Sequence, residues 1–241
     1  DRRLGDDLAN PTVVGAAPAV FRRRHRLAMQ HATGLPADTG NQIRHMRLVL
    51  EHHQRDDVAI RGGVPVKIER ALDGVDLILH AGGIDTRSVL DSLQEIAPVK
   101  AAGRTAPDRS EGAASAVSEG GGDERVADQH VLDLEGHTIG LVHELSVTSL
   151  PDEVRPGYIV KRRRKDLSMR VVAEDFFATP IDIVVFGRTL YAMIEEHDGV
   201  LFINPGSPSY PANLRKLGTV AILDLEPGNR KVSLIDLASM E

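Results

Sequence analysis

The sequence predicts an α/β protein in which two mixed β-sheets pack face to face with helices on the outside. Three observations carry that prediction. Short apolar runs fit for buried strands alternate with segments of helical spacing up to about residue 101, which implies right-handed parallel crossovers. Past residue 122 the pattern changes to pairs of strand-like segments joined by tight turns, which implies antiparallel pairing. Apolar residues make up 41% of 241, enough to bury a sizeable core.

The elements follow in order. Residues 1–45 are rich in Ala, Pro, Gly and Arg without sustained alternation, and only Ala19 to Gln30 has the makings of a short basic helix, so this stretch reads as an N-terminal extension to a domain spanning 46–241. Met46 to Leu50 is the first buried-strand run. Val64 to Leu72 has helical spacing through Val66, Ile68 and Leu72. Val75 to His80 is a second strand, Thr86 to Ile96 a second helix with Val89, Leu90, Leu93 and Ile96 inward, and Ala97 to Ala101 a third strand. Ser110 to Gly122 is small, polar and Gly-rich, the composition of a surface loop.

His130 to Leu134 and Thr138 to His143 flank the turn Glu135-Gly136-His137 and predict a hairpin. Leu167 to Phe177 predicts a helix and Ile181 to Phe186 a strand. A hairpin follows in Thr189 to Glu196 and Val200 to Ile203 around Asp198-Gly199, and another in Val220 to Leu225 and Val232 to Leu237 around Glu226-Pro227-Gly228-Asn229.

Composition narrows the chemistry. With no cysteine, disulfides, zinc-thiolate sites and thiol nucleophiles are excluded, which fits the cytoplasm. No apolar run approaches the roughly 18 residues of a membrane-spanning helix. A net charge of -6 gives no overall field for polyanions, and the basic runs Arg22 to Arg26 and Lys161 to Lys165 read as solvated surface. Five Phe, three Tyr and no Trp leave little material for stacking bases, which disfavours nucleic acid as a partner. Neither Gly-x-Ser-x-Gly nor Gly-x-x-x-x-Gly-Lys-Ser/Thr occurs.

Four phrases, Gly74-Val75-Asp76-Leu77-Ile78-Leu79-His80-Ala81-Gly82, Ile96-Ala97-Pro98-Val99, Leu134-Glu135-Gly136-His137 and Ile203-Asn204-Pro205-Gly206-Ser207-Pro208-Ser209, occur in the order and spacing of a known family. From Met46 to Leu237 the chain resembles the small bacterial and archaeal phosphodiesterases of the calcineurin-like metallophosphoesterase superfamily, which implies a four-layer αββα sandwich. The resemblance also implies five strand-end motifs that together hold two divalent cations: Asp-x-His, Gly-Asp, Gly-Asn, a His before Gly, and Gly-His-x-His. Such a pair clamps a phosphate and lowers the pKa of a bound water.

Most of those motifs are altered. Glu51-His52-His53 half matches the first, Gly83 stands where the bridging Asp belongs, and Gly103-Arg104 replaces Gly-Asn. His143 is kept but Glu144 follows it, and Gly187-Arg188-Thr189-Leu190 replaces Gly-His-x-His. A guanidinium cannot ligate a metal, and two cations side by side repel without a bridging carboxylate. No binuclear centre is expected. Glu51, His53 and His143 remain as a set for one weakly bound Mn or Zn ion. Two roles are open for Arg104 and Arg188: binding a phosphate or carboxylate in the cleft, or structural ion pairs with Glu51, Glu144 or Asp85.

The Asn204 turn is expected to shape the cleft rim, His80 to be packed, and His137 to be solvated. The resemblance thus implies a catalytically impaired homologue that binds a protein or a small anion, as some superfamily members serve in assemblies. The rival expectation is a divergent metal-dependent phosphodiesterase using one metal or other ligands such as His52, Asp85 and Asp108.

Overall fold

The computed structural model describes residues 45–49 as backbone and residues 65–84, 87–103, 123–145, 154–160, 168–208 and 218–240 in full. The first strand, β1 (His45–Val49), runs parallel to β2 (Leu77–His80), with Met46 opposite Leu77 and Val49 opposite His80. Between them lies α1 (Val66–Ala71), and α2 (Arg87–Gln94) leads on to β3 (Val99–Ala102). The expected parallel pairing of β1 with β2 and of β2 with β3 across intervening helices is met in this half. One residue departs from the expected stripe: Val66 is 60% exposed, and α1 buries Ile68 and Ala71, with Leu72 just beyond its end.

Two short elements were not legible beforehand. Val126–Ala127 forms β4 beside β3, and a small hairpin pairs β7 (Val154–Arg155) with β8 (Tyr158–Ile159). Between these lies the expected hairpin of β5 (Gln129–Leu134) and β6 (His137–Val142). The helix α3 (Met169–Phe177) precedes β9 (Ile183–Phe186), then the hairpin β10 (Met193–His197) and β11 (Val200–Asn204), and last the hairpin β12 (Thr219–Glu226) and β13 (Asn229–Asp236). The expected Ser110 to Gly122 loop and the Lys161 to Lys165 run lie outside the described residues.

The strands form a six-stranded sheet in the order β13-β12-β1-β2-β3-β4 and a five-stranded sheet in the order β10-β11-β9-β6-β5. Side chains alternate faces along a strand, so each sheet sorts its apolar residues into two layers. Leu77 and Leu79 of β2, Ile139 and Leu141 of β6, Ile183 and Val185 of β9 and Leu223 of β12 meet in the core between the sheets. Ile78 and Val99 instead pack under α1 and α2 with Leu72, Leu90 and Leu93. Val142, Val184, Phe186 and Phe202 pack under α3 with Val172 and Phe177. These are the four layers expected from the sequence, held by three separate apolar cores.

Local features fix the layers. Phe177 sits so close to Gly140 that a Cβ there would lie 2.5 Å from its ring, which lets α3 approach β6. Asp198, in the β10–β11 turn, accepts the Met169 N–H at 2.7 Å and so satisfies a donor in the first turn of α3 from outside that helix. His137 is half-buried rather than solvated, its Nε2 within 3.1 Å of the Glu226 carbonyl and 3.2 Å of that of Asn229, tying the β5–β6 turn to the β12–β13 turn of the other sheet. Among the described residues no helix is long and apolar enough to cross a membrane.

Candidate functional site

In open α/β sheets ligand sites gather beyond the carboxyl ends of parallel strands. Here the ends of β2, β6, β9 and β11 come together. Ile139 and Leu141 of β6 face the other sheet, and His143 continues that face one step past the strand. Its ring therefore crosses to β2, where Nδ1–H donates to the Ala81 carbonyl at 3.0 Å. On the other side of the same peptide, the Gly82 N–H donates to His80 Nδ1 at 3.2 Å.

The two imidazoles are in opposite roles: His143 carries a proton on Nδ1, whereas His80 Nδ1 is an acceptor. Both rings are buried, as expected for His80. Between them Gly82 and Gly83 adopt φ values of 98° and 71°, the left-handed region that glycine enters without penalty. Gly82 has a second reason to be glycine, since a Cβ would stand 2.1 Å from His143 Nδ1.

The β6–β9 register extends past both strands. Val142 pairs with Phe186, and the Gly187 N–H donates to the His143 carbonyl at 2.9 Å. Continuation by one residue brings Glu144 and Arg188 side by side, with Nε 3.0 Å from Oε1. Both side chains are partly accessible, 42% for Arg188 and 34% for Glu144. Of the acidic partners open to Arg188 from sequence, the structure places Glu144 on it.

Arg188 and Leu190 have φ values of 56° and 63°, a region uncommon for side chains of their size. Asn204 holds this bend. Fully buried at the end of β11, its Nδ2 donates to the Gly187 carbonyl at 2.8 Å and to Thr189 Oγ1 at 2.9 Å, while its Oδ1 accepts the Gly206 N–H at 3.0 Å. The turn is locked further by Thr219, whose Oγ1 donates to the Pro205 carbonyl at 2.7 Å and lies where a Gly206 Cβ would be. The expectation of a rim-shaping turn is met, but its link to the Arg188 loop was missed. An Asn at the end of a wholly apolar strand, just before Pro-Gly, was the available signal.

Glu51, His52, His53, Asp85, Arg104 and Asp108 lie outside the described residues, so their relation to His143 and Arg188 is not part of this geometry. No three His, Asp or Glu side chains are grouped to hold a metal among the described residues, Gly83 has no donor side chain, and Glu144 is engaged by a guanidinium.

Comparison with known proteins agrees with this architecture. A model of the calcineurin-like phosphoesterase superfamily domain matches residues 52–228. A probable metallophosphoesterase of Methanocaldococcus jannaschii is 24% identical over 148 residues, 61% of this chain, and this chain spans 61% of that relative's length. In fold, the chain is similar to a variant of Vps29 from Entamoeba histolytica with a TM-score of 0.51, 16% identity and coverage of 80% of this chain and 98% of that one. Wild-type Vps29 of the same organism, solved in complex with zinc, gives a TM-score of 0.50 and 19% identity over 80% of this chain and 99% of that one.

Proposed function

The chain belongs to the calcineurin-like phosphoesterase superfamily, and we propose that it keeps the superfamily's fold as a cytoplasmic binding scaffold whose cleft takes a small anion at Arg188 without hydrolysing phosphate esters. The carrying observation is the Arg188 guanidinium at the cleft mouth, 42% exposed and so open to an anion even while Glu144 Oε1 lies 3.0 Å from its Nε in the ion-pair role that the sequence also left open. A guanidinium offers up to five N–H donors in a planar fork that matches phosphate or carboxylate oxygens. It supplies positive charge without activating a water, so binding is separated from hydrolysis. Arg104 is proposed as a second cationic group, and residues 1–45 as an extension outside the domain.

Backbone geometry adds support. Asp, Asn and His are the residues enriched at positive φ among non-glycines. The φ values at positions 188 and 190, 56° and 63°, therefore suit His better than Arg and Leu, and that at position 83, 71°, admits Asp as well as the glycine present. The backbone at positions 83, 188 and 190 is thus compatible with the residue types that the superfamily carries there.

The test is a titration of inorganic phosphate into the full chain, together with metal analysis and an assay of bis(p-nitrophenyl) phosphate in Mn²⁺. Phosphate binding lost in Arg188→Ala, with no turnover, supports the scaffold. The combined substitution Gly83→Asp, Arg104→Asn, Arg188→His and Leu190→His should then recover metal binding. Limited proteolysis ahead of residue 46 should leave a fragment that still binds phosphate.

One observation favours a second reading, a divergent phosphodiesterase with a single metal. A metal-ligating histidine commonly donates its other ring N–H to a carbonyl, and His143 Nδ1–H donates to that of Ala81. Glu51 and His53 would complete that set. Turnover in Mn²⁺ abolished by His143→Ala would establish this reading and end the first.

A further inference from the structure

We propose that Glu144 is a built-in competitor at the anion site, its carboxylate holding Arg188 until an incoming small anion exchanges with it. This rests on the anion-binding reading and concerns the control of the same site. The pairing follows from the strand register, since Glu144 and Arg188 are the residues immediately after a cross-strand contact, Gly187 N–H to the His143 carbonyl at 2.9 Å. Neither backbone is at liberty to carry its charge away. His143 is anchored to Ala81, and the Gly187–Thr189 bend is anchored by Asn204.

The side chains, by contrast, can exchange. With 42% and 34% of their surfaces exposed, both are in reach of solvent. An ion pair between such groups contributes at most about 1 kcal/mol, because water screens the attraction and two long side chains lose rotamer freedom. A phosphate that engages the guanidinium through two oxygens makes two parallel charge-assisted hydrogen bonds. Glu144 thus sets a threshold: every anion that takes Arg188 must displace it and is weakened by the same factor, which only the more tightly chelating anions overcome. Once displaced, its carboxylate has solvent to enter, so no buried charge is created.

The experiment is calorimetric titration of inorganic phosphate into the full chain as wild type, Glu144→Gln, Arg188→Ala and the double variant. Glu144→Gln keeps the shape and removes the charge, and should tighten binding by roughly fivefold, the scale of an exposed ion pair. Arg188→Ala should lose binding, and the double variant should bind no better than Arg188→Ala alone. Glu144→Ser reaches the same end through a smaller side chain and should tighten binding likewise. Unchanged or weaker binding in both Glu144 variants, with binding still dependent on Arg188, would overturn the competitor while leaving the anion site standing. Binding that survives Arg188→Ala, or is missing in every protein, would overturn the anion site itself.

Discussion

His143 lies against Gly82 so closely that a Cβ on the glycine would stand 2.1 Å from Nδ1, and that same nitrogen donates to the Ala81 carbonyl at 3.0 Å. The contact joins the two sheets at the mouth of the cleft. It explains why a buried imidazole is tolerated at the end of β6: its polar atom meets a backbone acceptor brought within reach by the absence of a side chain at Gly82.

Gly82→Ala should therefore destabilise the protein by about 2–4 kcal/mol, combining overpacking against the ring with a φ of 98° that an alanine adopts at a penalty. Chemical denaturation measures it. In the double variant Gly82→Ala/His143→Ala the loss should be smaller than the sum of the single losses, because the clash needs both groups. Full additivity would show that the ring does not rest on the glycine.

Asn204→Ala removes the donor to Gly187 and Thr189 and the acceptor for Gly206, leaving buried groups unmatched, so a loss of about 2–4 kcal/mol is expected in thermal or denaturant unfolding. If the bend positions Arg188, phosphate affinity should fall as well. Asn204→Asp keeps the acceptor but loses the donating amide. It should reproduce the loss of affinity, whereas wild-type binding in that variant would separate the bend from the site.

His130, buried on β5, donates from Nε2 to the Ala101 carbonyl of β3 at 2.9 Å, and burial pushes its pKa below the ordinary value of 6.5. The folded protein holds it neutral while the unfolded chain takes up a proton. Its contribution is therefore fully present above about pH 6.5 and declines as the pH falls below it. Unfolding midpoints should show this decline as the pH falls below the ordinary value of 6.5, and His130→Gln should flatten it. An equal slope in that variant would assign the decline elsewhere.

Asp123 accepts from Arg125 at 2.7 Å and 2.9 Å and from Arg87 at 3.1 Å, while Arg125 also reaches Asp91 at 2.7 Å, a network that fastens α2 to the segment entering β4. The Arg125 guanidinium holds the Asp123 carboxyl well below the usual carboxylate range. Stability from this ionised group is present above its ordinary value of 3.8 and is lost as acid titrates the folded form below it. Asp123→Asn should lower stability by about 1–3 kcal/mol at pH 7 and shrink the difference from wild type as the pH drops below 3.8. A difference that persists unchanged at acid pH would point to shape rather than charge.

Much of the cleft could be read without coordinates because it lies at strand ends, and strand ends are marked by where apolar runs stop. Gly83, His143, Glu144 and Arg188 were singled out by the superfamily motifs that those strand ends resemble. The partner of Arg188 was not readable, since Glu51, Glu144 and Asp85 were equally available in one dimension. β4 and the β7–β8 hairpin escaped notice for a related reason: a two-residue strand has no periodicity, and its existence depends on the neighbour that pairs with it. His137 looked solvated because its turn is polar, and only the approach of the β12–β13 turn supplied carbonyls for it.

The sequence by itself determined the alternation of strands and helices, the superfamily, and the presence of Gly83 and Arg188 at strand ends, because each is a property of a residue or of its near neighbours. Tertiary structure alone decided that Glu144 faces Arg188, that Asn204 holds the bend at Gly187, and that Gly82 makes room for His143. Those contacts join residues tens of positions apart, and they depend on strand register and sheet packing, which no local pattern of side chains encodes.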